Sequence, residues 1–267
     1  AYIVGQEYSF TGGVNQLTAS LGERQIAYNK FATENVSTLD YLLQGPAGSN
    51  LEDATAIGNF LINIVEDRRD CMCFLSPPRY AVIGQVDSER ITESVVEWAS
   101  TLSSSSYAVF DSGYKYTFDR FNDVYRYIPL NGDTAGTLVF TAVEAEPYYS
   151  PAGVSRGQIR NVVKLPYNPA KAQRDALYTA RINPVVTFPG EGTVLFGDKT
   201  ALGYSSAFDR INVRRLFLIV EREVAEIARV NLFEFNDEVT RTLFKNNVNP
   251  FLRDIQSKRG MFDFLVV

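Results

Sequence analysis

Three groups of residues in this 267-residue chain have types and spacing that could do chemistry. The first is Cys71 and Cys73, the only cysteines, either side of Met72. On a strand both thiols share one face, a geometry that does not favour a disulfide, and a zinc site needs about two further ligands. Buried free thiols in a reducing compartment are the expectation. The second is Gly192-Thr-Val-Leu-Phe-Gly-Asp-Lys-Thr200, close to the phosphate-binding pattern of two glycines four residues apart followed by Lys and Ser or Thr. Asp198 interrupts it and would repel phosphate. The Thr-Val-Leu-Phe between the glycines is strand-like, so it cannot turn successive N–H groups onto one anion. We expect a strand ending in a polar turn. The third is Asp119, Asp123 and Asp133, which lack calcium-loop spacing and interleave with Phe121, Val124 and Arg126, as turns and strand edges do. The chain has no histidine, which excludes Ser–His and Cys–His nucleophiles and histidine metal sites but not carboxylate chemistry. No catalytic, cofactor or metal residue is expected.

The arginines carry more. Arg210 precedes the pair Arg214-Arg215, and Arg253, Lys258 and Arg259 follow. An arginine at the border of an apolar stripe clamps a carboxylate or a carbonyl with paired hydrogen bonds. Two readings stand: an internal salt bridge, with Asp198 or Asp209 as partner, or a contact to another subunit. Net charge is −5, no general attraction for nucleic acid or anionic lipid. Its distribution is uneven: residues 1–100 hold 6 basic and 13 acidic side chains (−7), residues 210–260 hold 10 and 7 (+3). Such a molecule can pair with copies of itself, or the charges simply lie on solvated faces.

The positioning elements follow from periodicity. Tyr2–Val4 and Tyr8–Phe10 read as short strands broken at Gly12-Gly13. A helix is expected over 23–34 and a buried strand over 39–43. Helix 52–66 carries Ile57, Leu61, Ile64 and Val65 at helical spacing. Strand 71–75 stops at Pro77-Pro78. A second helix starts from Ser88 as N-cap and runs through Ile91, Val95 and Trp98, and strand 107–110 leads into the turn Asp111-Ser-Gly113. Strands alternating with amphipathic helices define an α/β fold, a layered sandwich with a mainly parallel central sheet flanked by helices. Residues 125–129 lead into an Ala/Gly-rich helix over 134–143. A β-hairpin is expected from Val185–Phe188 and Thr193–Phe196 around Pro189-Gly-Glu-Gly192. Asn168-Pro169 and Asn249-Pro250 each read as an N-cap with proline in the first turn. A helix over 212–229 aligns Val213, Leu216, Phe217, Val220, Val224 and Ile227 toward the core. Another opens at Asn236 or Asp237, and Gly260 closes a last one.

With 45% hydrophobic residues, 18 Phe and 15 Tyr, a sizeable core and broad packed surfaces are within reach. No apolar run approaches the about 20 residues of a membrane-spanning helix, and the start does not read as a signal peptide. Asn35-Val36-Ser37 matches a glycosylation sequon without a secretory context. The chain starts at Ala1 rather than Met, and Phe262–Val267 reads as a strand that stops without a turn, so a piece of a longer chain is expected. Residues 1–22 form a strand-forming lead-in and 23–267 one domain, truncated before a C-terminal portion.

Many sequence blocks, in one order, resemble the tail sheath proteins of contractile-tailed bacteriophages. They are Arg69-Asp-Cys-Met-Cys-Phe-Leu-Ser-Pro-Pro78, Tyr114-Lys-Tyr116, Phe121–Leu130, Ser150-Pro-Ala-Gly153, Arg156-Gly-Gln-Ile-Arg-Asn-Val162, Ala172–Tyr178, Ile182–Val185, Gly192–Thr200 and Ser206–Phe217. The resemblance implies the inner α/β region of a structural subunit, not an enzyme. Such subunits stack as six-fold rings around a tail tube protein, attach to baseplate and tail terminator proteins, and exchange terminal strands with neighbours. The sheath contracts to drive the tube through the host envelope, with no direct nucleic-acid contact and no membrane insertion. It implies a virion tail location, with assembly in the host cytoplasm. Arg210, Arg214, Arg215, Arg253, Lys258 and Arg259 are the candidate subunit or tube interface. A sheath subunit of a related contractile injection system is the alternative. An α/β enzyme using carboxylates or a nucleotide is a remote one, and it requires a pocket at the carboxyl ends of the parallel strands.

Overall fold

The computed structural model describes residues 19–33 and 38–267. The expected strands at 2–4 and 8–10, the Gly12-Gly13 break and the sequon at 35–37 lie outside the described residues, as does most of the lead-in.

Four parallel strands form the central sheet in the order β1 (Tyr41–Leu43), β2 (Met72–Leu75), β3 (Ala108–Asp111), β6 (Ile182–Asn183). Cys73 sits between Leu42 and Ala108 in register, Phe74 between Leu43 and Val109. Every residue of β2 and β3 is buried, which is why both read as unbroken apolar runs: a parallel strand is covered on both faces. β1 is shorter than expected and lies at the edge, so only Leu42 of its three residues is buried.

Each new strand is added on the same side of the last. Right-handed crossovers then place the intervening helices on one face. α2 (Leu51–Arg68), α4 (Ser88–Ser100) and α6 (Lys171–Thr179) pack in succession there, while α5 (Asn131–Glu144) covers the opposite face against β1, β2 and β3. Trp98 of α4 packs on Phe110 of β3 at 5.4 Å between ring centroids, in the middle of the core. Gly58 lets α2 approach α4, because a Cβ there would lie 2.7 Å from Leu102 Cδ2.

The helix ends follow local chemistry. Asn50 accepts the Asp53 N–H at 2.7 Å to start α2, and Arg69 (φ 60°) closes it. Asp87, not Ser88, caps α4: its carboxylate accepts the Glu89 N–H at 2.9 Å. Helix α1 (Leu21–Asn29) begins two residues before the expected start, with Ser20 and Glu23 in a capping box. The short α3 (Arg79–Val82) follows β2.

Two antiparallel hairpins accompany the sheet. β7 (Val185–Phe188) with β8 (Gly192–Leu195) is the expected one. β4 (Tyr114–Asp119) with β5 (Val124–Pro129) was not foreseen as a pair. Its turn has no glycine, and Asp123 adopts the left-handed conformation (φ 52°) in its place.

The C-terminal third departs most from expectation. Asn168 is not an N-cap; helix α6 starts two residues later than Pro169, and the Asn168 side chain instead brackets Thr187 of β7 through both N–H and C=O. Pro250 opens no helix: α8 (Glu238–Ser257), capped by Asp237, runs through it. Arg259 (φ 66°), not Gly260, takes the left-handed position after α8. Gly260 is required for closeness, since a Cβ would meet Ile255 Cγ2 and the Tyr148 ring edge. Helix α7 (Ile211–Arg229) turns a different face inward from the one expected. Ile211, Arg214, Arg215 and Leu218 are buried, while Val213, Leu216 and Val220 are half-buried and Phe217 is exposed. The reason is that α7 packs against strand ends rather than a sheet face.

Candidate functional site

At the carboxyl ends of the strands, the place where an α/β enzyme builds its pocket, four polar residues stand in a row: Gln44, Ser76, Asp111 and Asn183, each nearly or wholly inaccessible. They face one another and the start of α5 rather than a cavity. The Asn131 N–H donates to Ser76 Oγ at 2.9 Å, and Ser76 Oγ donates to Asp111 Oδ2 at 2.6 Å. Asp111 Oδ1 accepts the Gly113 N–H at 2.9 Å, and Gln44 Oε1 accepts the Ser76 N–H at 3.0 Å. Asn131 Nδ2 reaches the Gly45 carbonyl at 2.8 Å. Asn183 links the last strand to Phe110 and Lys199. No cation pairs with Asp111 among the described residues, and burial pushes its carboxyl up to about 8, against smaller lowering by Ser76 and Gly113. This carboxyl is a neutral rivet between β2, β3 and α5. Expected only as part of a turn, Asp111 gave no sign in the sequence of being fully enclosed.

A groove of about 1080 Å³ lies beside this row, between α1, α3 and the β4–β5 hairpin, lined by Arg24, Asp53, Arg79, Tyr80, Tyr114 and Tyr127 among others. None of the four plugged polar residues lines it.

Asp198 gathers the blocks that carry the family resemblance. Its Oδ1 accepts from Arg210 at 2.8 Å and from the Tyr178 hydroxyl at 3.1 Å, and its Oδ2 accepts from Ser150 Oγ at 3.1 Å. Arg210 also donates to the Tyr178 hydroxyl and pairs with Asp209 at 3.4 Å. Lys199 is spent on the Tyr178 carbonyl (3.0 Å) and lies 4.2 Å from that ring's centroid. The near-match to a phosphate loop is thus the end of β8 and a turn whose cation and anion are both engaged. Gly157 belongs to the same corner: a Cβ there would fall 2.8 Å from the Leu195 carbonyl oxygen and 2.9 Å from the Gly153 backbone.

Helix α7 lies across the amino ends of the strands, against the chain just ahead of β1, β2 and β3. Arg214 donates to Ser106 Oγ at 2.6 Å and to the Tyr107 hydroxyl at 3.3 Å, sandwiched between the Tyr107 and Phe208 rings (4.2 and 4.0 Å). Arg215 sits over Tyr41 at 4.7 Å. Arg222 reaches Asp40 at 2.8 Å and the Asp70 carbonyl at 3.2 Å. Strand ends present rings and carbonyls, which suit guanidinium groups, whereas a sheet face would have required the apolar stripe.

The six interface candidates differ in exposure and in partners. Arg210 has the internal partners Asp198 and Asp209, and Arg214 and Arg215 are buried. Lys258 bridges Asp254 (2.9 Å) and Glu146 (3.2 Å), which hold its ammonium above the usual range. Arg253 and Arg259 are exposed. Asp119 accepts the N–H groups of the β4–β5 turn and pairs with Arg126 at 3.1 Å, whereas Asp133 pairs with Lys115 at 2.7 Å; the three aspartates do not converge. Cys71 and Cys73 are free and buried, and burial, with Asp70 second, pushes Cys71 up to about 12, so neither is a nucleophile at neutral pH.

The result is an α/β module: a parallel sheet without a reversal of strand order, closed at both ends, with paired hairpins at its side. The fold is shared with the sheath of an extracellular contractile injection system in its contracted state (PVC; TM-score 0.62, 17% identity, 84% of this chain and 57% of that one). It is shared also with the contracted helical sheath of the anti-feeding prophage (TM-score 0.59, 18% identity, 77% and 52%). The chain is homologous to phage tail sheath proteins: it is 37% identical to that of Vibrio phage KVP40 and 36% identical to that of Enterobacteria phage T4, each over 97% of this chain. Residues 204–267 match the phage tail sheath C-terminal domain family. The chain spans 41% of the length of these two relatives.

Proposed function

We propose that this chain is the inner α/β part of a structural subunit of a contractile phage tail sheath. The subunit polymerises in stacked six-fold rings around the tail tube in the host cytoplasm, anchored by baseplate and terminator proteins. Its contraction drives the tube through the host envelope for DNA delivery. The observation that carries the reading is 36–37% identity to tail sheath proteins over 97% of the chain. Its work is the exchange of one set of protein neighbours for another, with no bond chemistry. The plugged strand ends support a rigid body without a turnover site.

A contractile lattice needs stiff units with remakeable polar contacts at their surfaces. Exposed Arg253 near the end of α8, with Lys258 and Arg259 just beyond it, provides such a surface toward a neighbour or the tube. The test uses the full-length protein that contains this chain. Wild type forms tubular polymers visible by electron microscopy. Arg253→Glu with Arg259→Glu impairs them while the monomer melts within about 2 °C of wild type, since exposed charges contribute little to folding. Normal tubes from the double variant dismiss this surface; absence of tubes from wild type dismisses the sheath reading.

A second reading, a sheath subunit of a related injection system, is favoured by the likeness to the two injection-machine sheaths. Neighbouring genes for a capsid and a packaging motor select the phage.

A further inference from the structure

Arg215 is a buried cation with no ion-pair partner of its own among the described residues. It is 8% exposed, and its Nε has no hydrogen-bond partner. Among the described residues its close companion is Tyr41, through the ring face at 4.7 Å and the neighbouring hydroxyl, a neutral group that supplies no negative charge. Arg214 next door differs, having two hydroxyl acceptors and two rings. Two turns along α7, Arg222 pairs with Asp40, and the other nearby carboxylate, Asp70, is held by Arg68. Two guanidinium groups thus share one carboxylate at the edge of β1. Enclosing a cation costs several kcal/mol unless an anion and hydrogen bonds compensate, and one aromatic face returns only about 2. The border of the site is open: the Asp40 side chain is 58% and the Arg222 side chain 41% exposed.

The same chain carries the complementary surplus. On α4, Glu89, Glu93 and Glu97 recur every fourth residue on the exposed face, and none makes an ion pair among the described residues. Like charges at this spacing repel along a helix. This ridge belongs to the helical layer over the sheet face, while Arg215 lies at the strands' amino ends.

We propose that Arg215, flanked by Arg222, is the receptor for a carboxylate of a second copy of this chain, supplied by the Glu89–Glu93–Glu97 ridge of α4. The planar guanidinium fork gives the contact direction as well as charge, and salt weakens it. The inference rests on the sheath reading for its partner, but assigns the contact to residues that reading does not.

The test compares Arg215→Met, a triple variant Glu89→Gln, Glu93→Gln, Glu97→Gln, and their combination, in the full-length protein. Expected are monomer melting temperatures within about 2 °C of wild type or higher, and a roughly tenfold loss of sedimentable polymer for Arg215→Met and for the triple variant. The combination is no worse than either alone, because both remove one contact. Polymer yield unaffected by Arg215→Met overturns the proposal, as does a lowered monomer melting temperature, which would make the arginine an internal support only. Multiplied losses in the combination also overturn it, by separating the two surfaces. If wild type itself does not polymerise, the sheath reading falls and this inference with it.

Discussion

Asp111 shows what a single side chain contributes here. Its folded carboxyl titrates near 8, whereas an unfolded aspartate titrates near 3.8. Between those values the folded chain holds a proton that the unfolded chain has lost. Stability from this group is therefore fully present below about pH 4, declines as pH rises, and is gone above about pH 8. The cumulative loss is on the order of a few kcal/mol. Urea unfolding at pH 5 and pH 8 should show wild type weaker at the higher pH. Asp111→Asn, which keeps the shape and a hydrogen bond to Ser76 without an ionisable group, should flatten that slope and be the more stable protein above pH 8. An equal slope in both proteins would remove Asp111 as its source. The two thiols were readable from their spacing within an apolar run; the isolation of Asp111 was not, because it requires α5 to fold back over β2 and β3.

Elements were legible where local chemistry decides. β2 and β3 are apolar runs between breakers, and α2 and α4 carry both a helical stripe and a cap. Where neighbours decide, the reading failed. α7 has a clean apolar stripe, yet its arginine side faces inward because it lies on strand ends. α8 passes through Pro250, whose missing N–H leaves the Asn246 carbonyl without its helical donor. Since Pro250 is exposed in mid-helix, Pro250→Ala should raise the unfolding free energy by about 1–3 kcal/mol in chemical denaturation; no gain would mean that a bend there is needed for Leu252 and Ile255 to reach their buried positions. The corner of Gly157 predicts the reverse. Gly157→Ala places a methyl against backbone at 2.8–2.9 Å, which cannot rotate away, and should cost about 1–3 kcal/mol, read as a lower denaturation midpoint. The β4–β5 hairpin is hard to read from sequence because its turn lacks glycine, the usual hairpin signal.

For the whole molecule, the decisive property is the strand order. Strands added in one direction leave no point where neighbouring loops part, and that is where open α/β sheets form a ligand crevice. One end of the sheet is plugged by Asn131, and α7 lies across the other. A nucleotide or divalent cation at millimolar concentration should accordingly leave the melting temperature of this chain unchanged within about 1 °C, whereas specific binding would raise it. A clear rise with magnesium and a nucleotide would revive the enzyme reading. From sequence alone came the α/β class, the buried thiols, the implausibility of a phosphate loop at Asp198 and the ordered blocks that mark sheath proteins, because short-range periodicity, residue chemistry and motif order are written locally. Which arginines turn inward, which carboxyl loses water, and which of the six basic candidates hold internal partners were decided only by tertiary structure. Burial is a property of what packs on a residue, and those partners lie tens to more than a hundred positions away along the chain.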